Sequence, residues 1–381
     1  MRILIAAGGT GGHIYPALAV VTQLQTRQPD LELRWLGGRR GLESDIVPPT
    51  GIRLERLRLR SLRTVDASLN TILDPLRLAA SVPQAMWKLL RWRPDVVYTT
   101  GGYVAIPVLA AAALLRIPTL LWEGNRIPGR SVRLSARLAT LRTVSYAATV
   151  DRLPAPTFVT GTPIRDLGSV ETSAARARLG LTADVPVLLG FGGSQAVKRL
   201  SDAVREALPD VVARCYVLHI TGESAIDEAE ALRASLSPEH QDRYRPYAFL
   251  REDMDAALSA ADLLVGRAGS STLAEAAAAG LPMIVVPYPH AAAHQKANAA
   301  EMVEAGAADL VDDEDLDGDT LRAACDLLFD QRLAAMSGAA LSVARPGAAA
   351  ASAHLLEILA AREPLPSQDE LDELTRAAST K

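Results

Sequence analysis

The chain has 381 residues, 49% hydrophobic and 22% charged, enough apolar material for two globular cores. Lys plus Arg number 40 against 44 Asp plus Glu, a net charge of −4, so no global basic field points to nucleic acid. The longest apolar run, Ala105 to Leu115, ends at Arg116 and falls short of the roughly 20 residues that span a bilayer, so the protein is expected to be soluble or attached to a membrane only by its surface.

The opening MRILIAAGG is too short for a secretory signal and ends in glycines, so it reads as a first strand. In chain order, strands are expected at Arg2–Ala7, Leu31–Leu36, Val96–Thr99, Thr119–Trp122 and Thr157–Thr160. A second set follows at Val187–Phe191, Cys215–Thr221, Leu263–Val265, Met283–Val286 and Asp309–Val311. Alanine- and leucine-rich helical stretches alternate with them, which implies βαβ units and parallel sheets. The pattern restarts near residue 185, after LPAPTFVTGTPIRDLG. The α/β chain is therefore expected to form two Rossmann-like, doubly wound parallel-sheet domains facing one cleft. Their spans are 1–163 and 164–343, a helix at about 344–362 packs back on the first, and 363–381 is a solvated polar tail. Cys215 and Cys325 match no metal or redox spacing and read as packing residues in a reducing compartment.

Four strand ends run into glycine turns. The first is Gly8-Gly9-Thr10-Gly11-Gly12-His13, the second Thr99-Thr100-Gly101-Gly102-Tyr103 and the third Gly190-Phe191-Gly192-Gly193-Ser194-Gln195. The fourth, Gly266-Arg267-Ala268-Gly269-Ser270-Ser271-Thr272, opens the helix LAEAAAAG. Glycines let the backbone approach an anion, and the helix start offers free N–H groups and a positive dipole. The first turn has no acid about 20 residues on, as a dinucleotide fold requires, and no Gly-Lys-Ser/Thr run, as a P-loop requires. A plain tight turn remains the other reading of it. Ser270, Ser271 and Thr272 suit helix capping and phosphate contact. Glu275, one turn further in, suits a ribose whose phosphates sit at the helix start, or is a solvated residue favoured by the dipole. Ligands of open α/β sheets bind beyond the strand ends, so four such turns imply a nucleotide on one side and an acceptor on the other.

The acidic run Asp312-Asp313-Glu314-Asp315-Leu316-Asp317-Gly318 starts like a calcium loop, but Ala324 stands where the closing Glu would fall. Asp319 is expected to cap the helix TLRAACDLLF. No DxD motif follows a strand in the second half, so no metal and no other cofactor is expected, and helix N-termini would carry the leaving-group charge.

The blocks GGTGGHIYPALAV, TTGGYVAIP, WEGNRIPG, VTGTPIR, GGSQ and GSSTLAEAAAAGLPMIVVPYPHAAAHQKANA resemble the MurG family of GT-B glycosyltransferases, over roughly residues 1 to 360. The resemblance implies transfer of N-acetylglucosamine from UDP-N-acetylglucosamine to undecaprenyl-diphospho-N-acetylmuramoyl-pentapeptide, turning lipid I into lipid II, with inversion. It implies that Glu275 binds ribose, Ser194 the diphosphate, Arg165 the nucleotide and Gln295 the sugar hydroxyls. Gln195, Asn125, Asn298, Ser270, Ser271 and Thr272 would join the donor set, with Thr10, Gly11 and Gly12 from the first loop. Gly9, His13, Gly102 and Tyr103 would meet the lipid-diphosphate acceptor. The chain departs from the family pattern at Trp122, Gly124, Val132, Thr162 and Ala196, mostly on the acceptor side, and has His294 where Gln or His occurs. His13 is the candidate general base, since a sugar hydroxyl must lose its proton. Its other reading is a hydrogen bond to the acceptor diphosphate. His290 and His294 read as structural or sugar contacts, and His219, His240 and His354 as strand, loop and helix residues. A UDP-sugar 2-epimerase, a glycosyltransferase with another lipid or natural-product acceptor, and a non-catalytic nucleotide-sugar or lipid binder stay open.

Residues Arg58 to Arg93 carry Arg58, Arg60, Arg63, Arg77, Lys88, Arg91 and Arg93 against Asp66 and Asp74, interleaved with leucines, Trp87 and Trp92. In a near-neutral protein this pattern is that of an interfacial helix on an anionic membrane surface. Peripheral attachment at the cytoplasmic face of the cell membrane is expected, and the bland alternative is a crossover helix with one core face.

Overall fold

In the computed structural model of the chain, the described residues are 1–39, 41–59, 69–167, 170–192, 198–250, 253–289 and 292–376, with side chains described for all but 69–76 and 292. Ser194, Gln195 and His290 lie outside them, as do residues 60–68 of the basic segment and the side chains of Leu73 and Leu76. The chain divides into two compact units, Met1–Asp166 with Arg345–Lys381, and Leu167–Ala344.

The first unit runs β1 (Arg2–Ala6), α1 (Gly11–Arg27), β2 (Glu32–Gly37), α2 (Glu43–Ile46), β3 (Arg53–Arg56), α3 (Leu69–Trp92), β4 (Val96–Thr99), α4 (Gly102–Leu114), β5 (Thr119–Glu123), α5 (Arg130–Ser135), β6 (Leu141–Val144) and β7 (Thr157–Val159). Its strands are parallel, in the order β3-β2-β1-β4-β5-β6-β7. Strands β4 and β5 are buried along their whole length, and their unbroken apolar runs suit the middle of a parallel sheet covered on both faces. The winding reverses between β1 and β4, where Ala6 lies opposite Thr99. The Thr99 hydroxyl donates to the Ala6 carbonyl at 2.6 Å and locks that register.

The second unit runs α6 (Thr172–Arg178), β8 (Val187–Phe191), α7 (Lys198–Val211), β9 (Tyr216–Ile220), α8 (Ile226–Ser235), α9 (Pro238–Gln241), β10 (Tyr244–Tyr247), α10 (Met254–Ala260), β11 (Leu263–Gly266), α11 (Ser270–Ala278), β12 (Met283–Val285), α12 (Ala292–Glu304), β13 (Ala308–Leu310), α13 (Gly318–Leu327) and α14 (Arg332–Val343). Its order is β10-β9-β8-β11-β12-β13, again parallel, with the reversal between β8 and β11. Cys215 and Cys325 are buried free thiols whose sulfurs lie 4.0 Å apart, a neighbourhood their sequence separation hides.

The chain then returns to the first unit as α15 (Ala348–Ala361) and α16 (Gln368–Arg376). Helix α15 lays Ala349, Ala351, Ala353, Leu355, Leu356 and Leu359 into the core shared with α1. The expected solvated tail is corrected here, because α16 packs on α15 and β7 and buries Leu371 and Thr375. Gln368 pairs with edge strand β7 as a neighbouring strand would. Its Oε1 accepts the Val159 N–H at 2.9 Å and its Nε2 donates to the Val159 carbonyl at 2.9 Å.

Three strands escaped the sequence reading. Strands β3 (RLER) and β10 (YRPY) are sheet edges, where polar residues and a proline are tolerated and the apolar signal fades. Strand β6 contains Arg142, which is buried but donates to the carbonyls of Ala136 and Ala139 at 2.9 Å and Pro156 at 3.0 Å. His240 lies in α9 rather than a loop. The cap of α13 is Asp317, not Asp319. Asp317 accepts the Thr320 N–H at 3.0 Å in a capping box, whereas Asp319 pairs with Arg322 at 2.7 Å.

Leu371→Ala should lower the stability of the full chain by about 2–5 kcal/mol, the cost of a cavity in a packed apolar site. Thermal unfolding measures it, and an unchanged Tm would mean that α16 does not dock.

Candidate active site

In the first unit, the glycine turns after β1 and β4 lie side by side because their strands pair. Gly9 has φ +97° and Gly101 φ +84°, conformations that side chains rarely adopt. A Cβ on Gly102 would stand 3.4 Å from the Gly8 carbonyl, so the turns touch through backbone. His13, on the first turn of α1, bridges them. Its Nδ1 lies 2.7 Å from the Thr100 carbonyl oxygen, and the Thr100 hydroxyl donates to the His13 carbonyl at 2.8 Å. A carbonyl only accepts, so in the neutral ring Nδ1 carries the proton and Nε2 presents a lone pair. That is the tautomer a general base requires.

Two residues expected to meet the acceptor are engaged by Glu43 from within the first unit. The Gly9 N–H is already committed, donating to Glu43 Oε2 at 2.8 Å. Tyr103 is buried, with its hydroxyl 3.5 Å from Glu43 Oε1 and its ring against Gly9. Burial, and then the Glu43 charge, push the Tyr103 phenol above its ordinary range. Both residues thus build the turn from beneath. Thr10, Gly11, Gly12 and Gly102 stay at the surface of the same pair of turns, half-buried or exposed.

Asn125 sits beyond β5. The buried Glu123 accepts the Asn125 N–H at 2.8 Å, its Nδ2 at 2.9 Å and the Gly129 N–H at 2.8 Å, which fixes the whole GNRIPG loop. Arg165 closes the first unit with its guanidinium 5.7 Å from the ring of Tyr15 on α1.

In the second unit, helix α11 starts where β11 ends. Its N-cap is Gly269 in an extended conformation, so Ser270, Ser271 and Thr272 fill the first turn instead of capping it. The Ser271 hydroxyl is buried with no hydrogen-bond partner among the described residues. Glu275 is buried on the same helix. On α12, Gln295 Oε1 accepts the Tyr288 N–H at 2.8 Å, leaving its Nε2 without a protein acceptor among the described residues. Asn298, expected to touch the donor, is buried with Nδ2 donating to the Ala268 carbonyl of the β11 turn at 3.4 Å. Arg267 is buried in that turn, donating to the Val286 carbonyl and paired with Asp313 at 2.5 Å. The acidic run is thus met by basic side chains, with Lys296 on Asp312 at 2.5 Å and Arg199 on Asp313 at 3.3 Å.

Sequence reasoning missed Glu43 and Glu123. The available signal was a single acid ending the apolar run TLLWE, and another following the glycines of GGRRGLE.

A sequence profile of the glycosyltransferase family 28 N-terminal domain matches residues 3–142, and one of the family 28 C-terminal domain matches 187–353. The UDP-N-acetylglucosamine--N-acetylmuramyl-(pentapeptide) pyrophosphoryl-undecaprenol N-acetylglucosamine transferase of Moorella thermoacetica is 38% identical over 363 residues, covering 91% of this chain and 96% of its own. A crystal structure of Acinetobacter baumannii MurG is similar at a TM-score of 0.74 and 28% identity, over 93% of this chain and 99% of that one. The chain belongs to the MurG family. It is a GT-B glycosyltransferase. A UDP-N-acetylglucosamine 2-epimerase structure from Listeria monocytogenes (described there as putative in activity) shares the fold alone, at 15% identity and a TM-score of 0.67 over 96% of this chain and 99% of that one.

Three of the departures from the MurG pattern, Trp122, Val132 and Thr162, have local partners, and Ala196 lies outside the described residues. The Trp122 indole donates to the Gly161 carbonyl at 3.1 Å. The Thr162 hydroxyl lies 2.7 Å from that of Ser145. Val132 packs so closely on the second turn that a Cβ on Gly101 would be 2.9 Å from its methyl. Each neighbour is inside the first unit, so the substitutions are absorbed by packing there.

Glu123→Gln keeps the volume but turns an amide donor toward a backbone N–H. It should cost about 1–3 kcal/mol in thermal unfolding and raise amide exchange in residues 124–129. Unchanged exchange there would show that Glu123 does not hold the loop.

Proposed function

We propose that this chain transfers N-acetylglucosamine from UDP-N-acetylglucosamine to an undecaprenyl-diphospho-N-acetylmuramoyl-pentapeptide, the lipid I to lipid II step, with inversion. The observation that carries the reading is His13 at the β1/β4 switch point, its Nδ1 directed at the Thr100 carbonyl, which leaves the lone pair of the neutral ring on Nε2. The substrates come from the reaction named for relatives such as the Moorella thermoacetica transferase.

In this reading His13 Nε2 removes the proton from the acceptor hydroxyl as its oxygen bonds to the anomeric carbon. The anomeric C–O bond to UDP breaks on the opposite face, and UDP leaves with the electron pair. The N-terminus of α11, with Ser270, Ser271 and Thr272, receives the diphosphate charge. Glu275 accepts from the ribose hydroxyls, and Gln295 Nε2 donates to the sugar. Gly11, Gly12 and Thr10 at the start of α1, with Gly102, meet the acceptor diphosphate, a change from the donor side for the first three. The test is purified chain with UDP-N-acetylglucosamine and a short-chain lipid I analogue. UDP release should depend on acceptor, and release independent of acceptor overturns the reading. Glu275→Ala should weaken UDP binding by about 1.5–3 kcal/mol and leave acceptor affinity nearly unchanged, whereas His13→Ala should lower turnover more than donor affinity. Equal loss of UDP binding in both variants would sink the assignment.

Attachment to the membrane belongs to the same proposal. No described helix is long and apolar enough to cross a membrane. The basic segment has two faces. Ala85, Leu89 and Trp92 of α3 are core, so Trp92 is not interfacial, while Trp87 is 59% and Leu90 52% exposed. Helix α3 packs on α4 and α4 on α5. Those helices add Leu114 at 69% and Leu134 at 73% exposure. Arg91, Arg116, Arg130, Arg133 and Arg137 on the same helices and their ends are exposed, and residues 124–150 contain no acid. Exposed apolar side chains alongside exposed arginines suit an anionic leaflet, here the one facing the nucleotide-sugar pool. Vesicle sedimentation should rise with anionic lipid and fall with salt. Replacing Trp87, Leu90 and Leu134 with Ser should cut partitioning by about tenfold or more, and unchanged binding would rule this surface out.

A further inference from the structure

Glu43 is fully buried, and the reaction as proposed does not use it. Its carboxylate sits where three stretches of the first unit converge. Oε2 accepts the Gly9 N–H at 2.8 Å, and Oε1 accepts the Gly38 N–H at 2.9 Å and faces the Tyr103 hydroxyl at 3.5 Å. A Cβ on Gly8 would lie 2.6 Å from Oε1, and one on Gly37 2.8 Å from Cγ. A Cβ on Gly41 would collide with Oε2. The Leu42 N–H also reaches the Gly9 carbonyl, at 3.4 Å. Glycines at 8, 37 and 41 are therefore the space that the carboxylate occupies. A buried charge persists only where hydrogen bonds replace its hydration, and here the donors belong to the first glycine turn and the end of β2.

We propose that Glu43 is a positioning residue for the acceptor end of the reaction: its carboxylate fixes the Gly8–Gly9 backbone and Tyr103, and so sets where the start of α1 presents His13. The inference rests on the reading of that turn as the acceptor wall. Two effects of the charge oppose each other. A negative group behind an anion-binding turn repels a diphosphate, while the same group holds the turn in place. Positioning dominates, because both carboxylate oxygens are spent on backbone and phenol groups of the turn region. With the Gly9 N–H consumed, the diphosphate is left the N–H groups at the start of α1.

The test compares full-length wild type, Glu43→Gln and Gly41→Ala, with UDP-N-acetylglucosamine and a short-chain lipid I analogue. Glu43→Gln should lower kcat by about tenfold or more while the donor KM stays within about twofold. Amide exchange should rise in residues 7–12 and 36–44 but not in 96–100. Gly41→Ala, which displaces the carboxylate without removing it, should change both readouts in the same direction and serves if the glutamine variant does not fold. An active wild type with an unaltered kcat in both variants overturns the proposal. So does an acceptor KM that falls with kcat intact, which would make repulsion the dominant effect. An inactive wild type sinks the reaction reading instead. Exchange in residues 7–12 then decides alone, and unaltered exchange there overturns the positioning role.

Discussion

The parallel pairing of β1 with β4 is the constraint from which the candidate site follows. The two strands are far apart in sequence, yet the reversal of winding makes them neighbours, with Ala6 opposite Thr99. Only that register brings the first glycine turn against the second, lets a ring nitrogen of His13 reach the Thr100 carbonyl, and leaves the Gly8 carbonyl almost touching Gly102. The second unit repeats the device. There β8 pairs with β11, Phe191 lies opposite Gly266, and a Cβ on Gly266 would be 2.9 Å from the Phe191 carbonyl. Two switch points therefore organise the turns after β1 and β4 in the first unit and the turn after β11 in the second.

The turns are stiffened by buried charge rather than by extra apolar packing. Glu43 gathers the N–H groups of Gly9 and Gly38, Glu123 those of Asn125 and Gly129, and the Arg142 guanidinium a ring of carbonyls. Removing one partner from such a cluster leaves a desolvated charge or donor unsatisfied, so each cluster behaves as a unit. The division of labour is chemical. Carboxylates bind the N–H groups that point inward, so that the proposed reaction calls on those at the starts of α1 and α11. A loop held this way keeps its geometry whether or not a ligand is present, which is what preorganisation requires.

Helix α4 links the two surfaces of the first unit that matter for the proposed reaction. It begins at Gly102 in the second turn and ends at the exposed Leu114, the helix being 13 residues and so about 20 Å long. Trp87 and Leu90 of α3 continue the exposed apolar surface, and Arg91 stacks over Trp87 at 5.5 Å. The same helix turns Ala85, Leu89 and Trp92 into the core. A sequence window rich in arginine, leucine and tryptophan thus served two purposes at once. Composition alone could not divide it, because the division depends on which helix packs on which.

By itself the sequence determined the architecture and the general chemistry. Central strands such as Ile3–Ala6 and Leu120–Trp122 are unbroken apolar runs, and the glycines that must adopt positive φ or admit a neighbouring backbone mark the turns locally. The signature of α11, glycine then Ser-Ser-Thr then Glu275, is likewise contained in one short segment. What lay beyond it has long-range causes. Edge strands β3 and β10 need no apolar alternation, and α16 is docked by Leu371, Thr375 and the strand-like amide of Gln368 rather than by composition. The surroundings of Glu43, Tyr103 and Asn298 were decided only by tertiary structure, since each hydrogen-bonds a residue 30 or more positions away. A carboxylate in a sequence looks the same whether it is solvated or spent on a distant backbone N–H; only the packed chain desolvates it and assigns its partners.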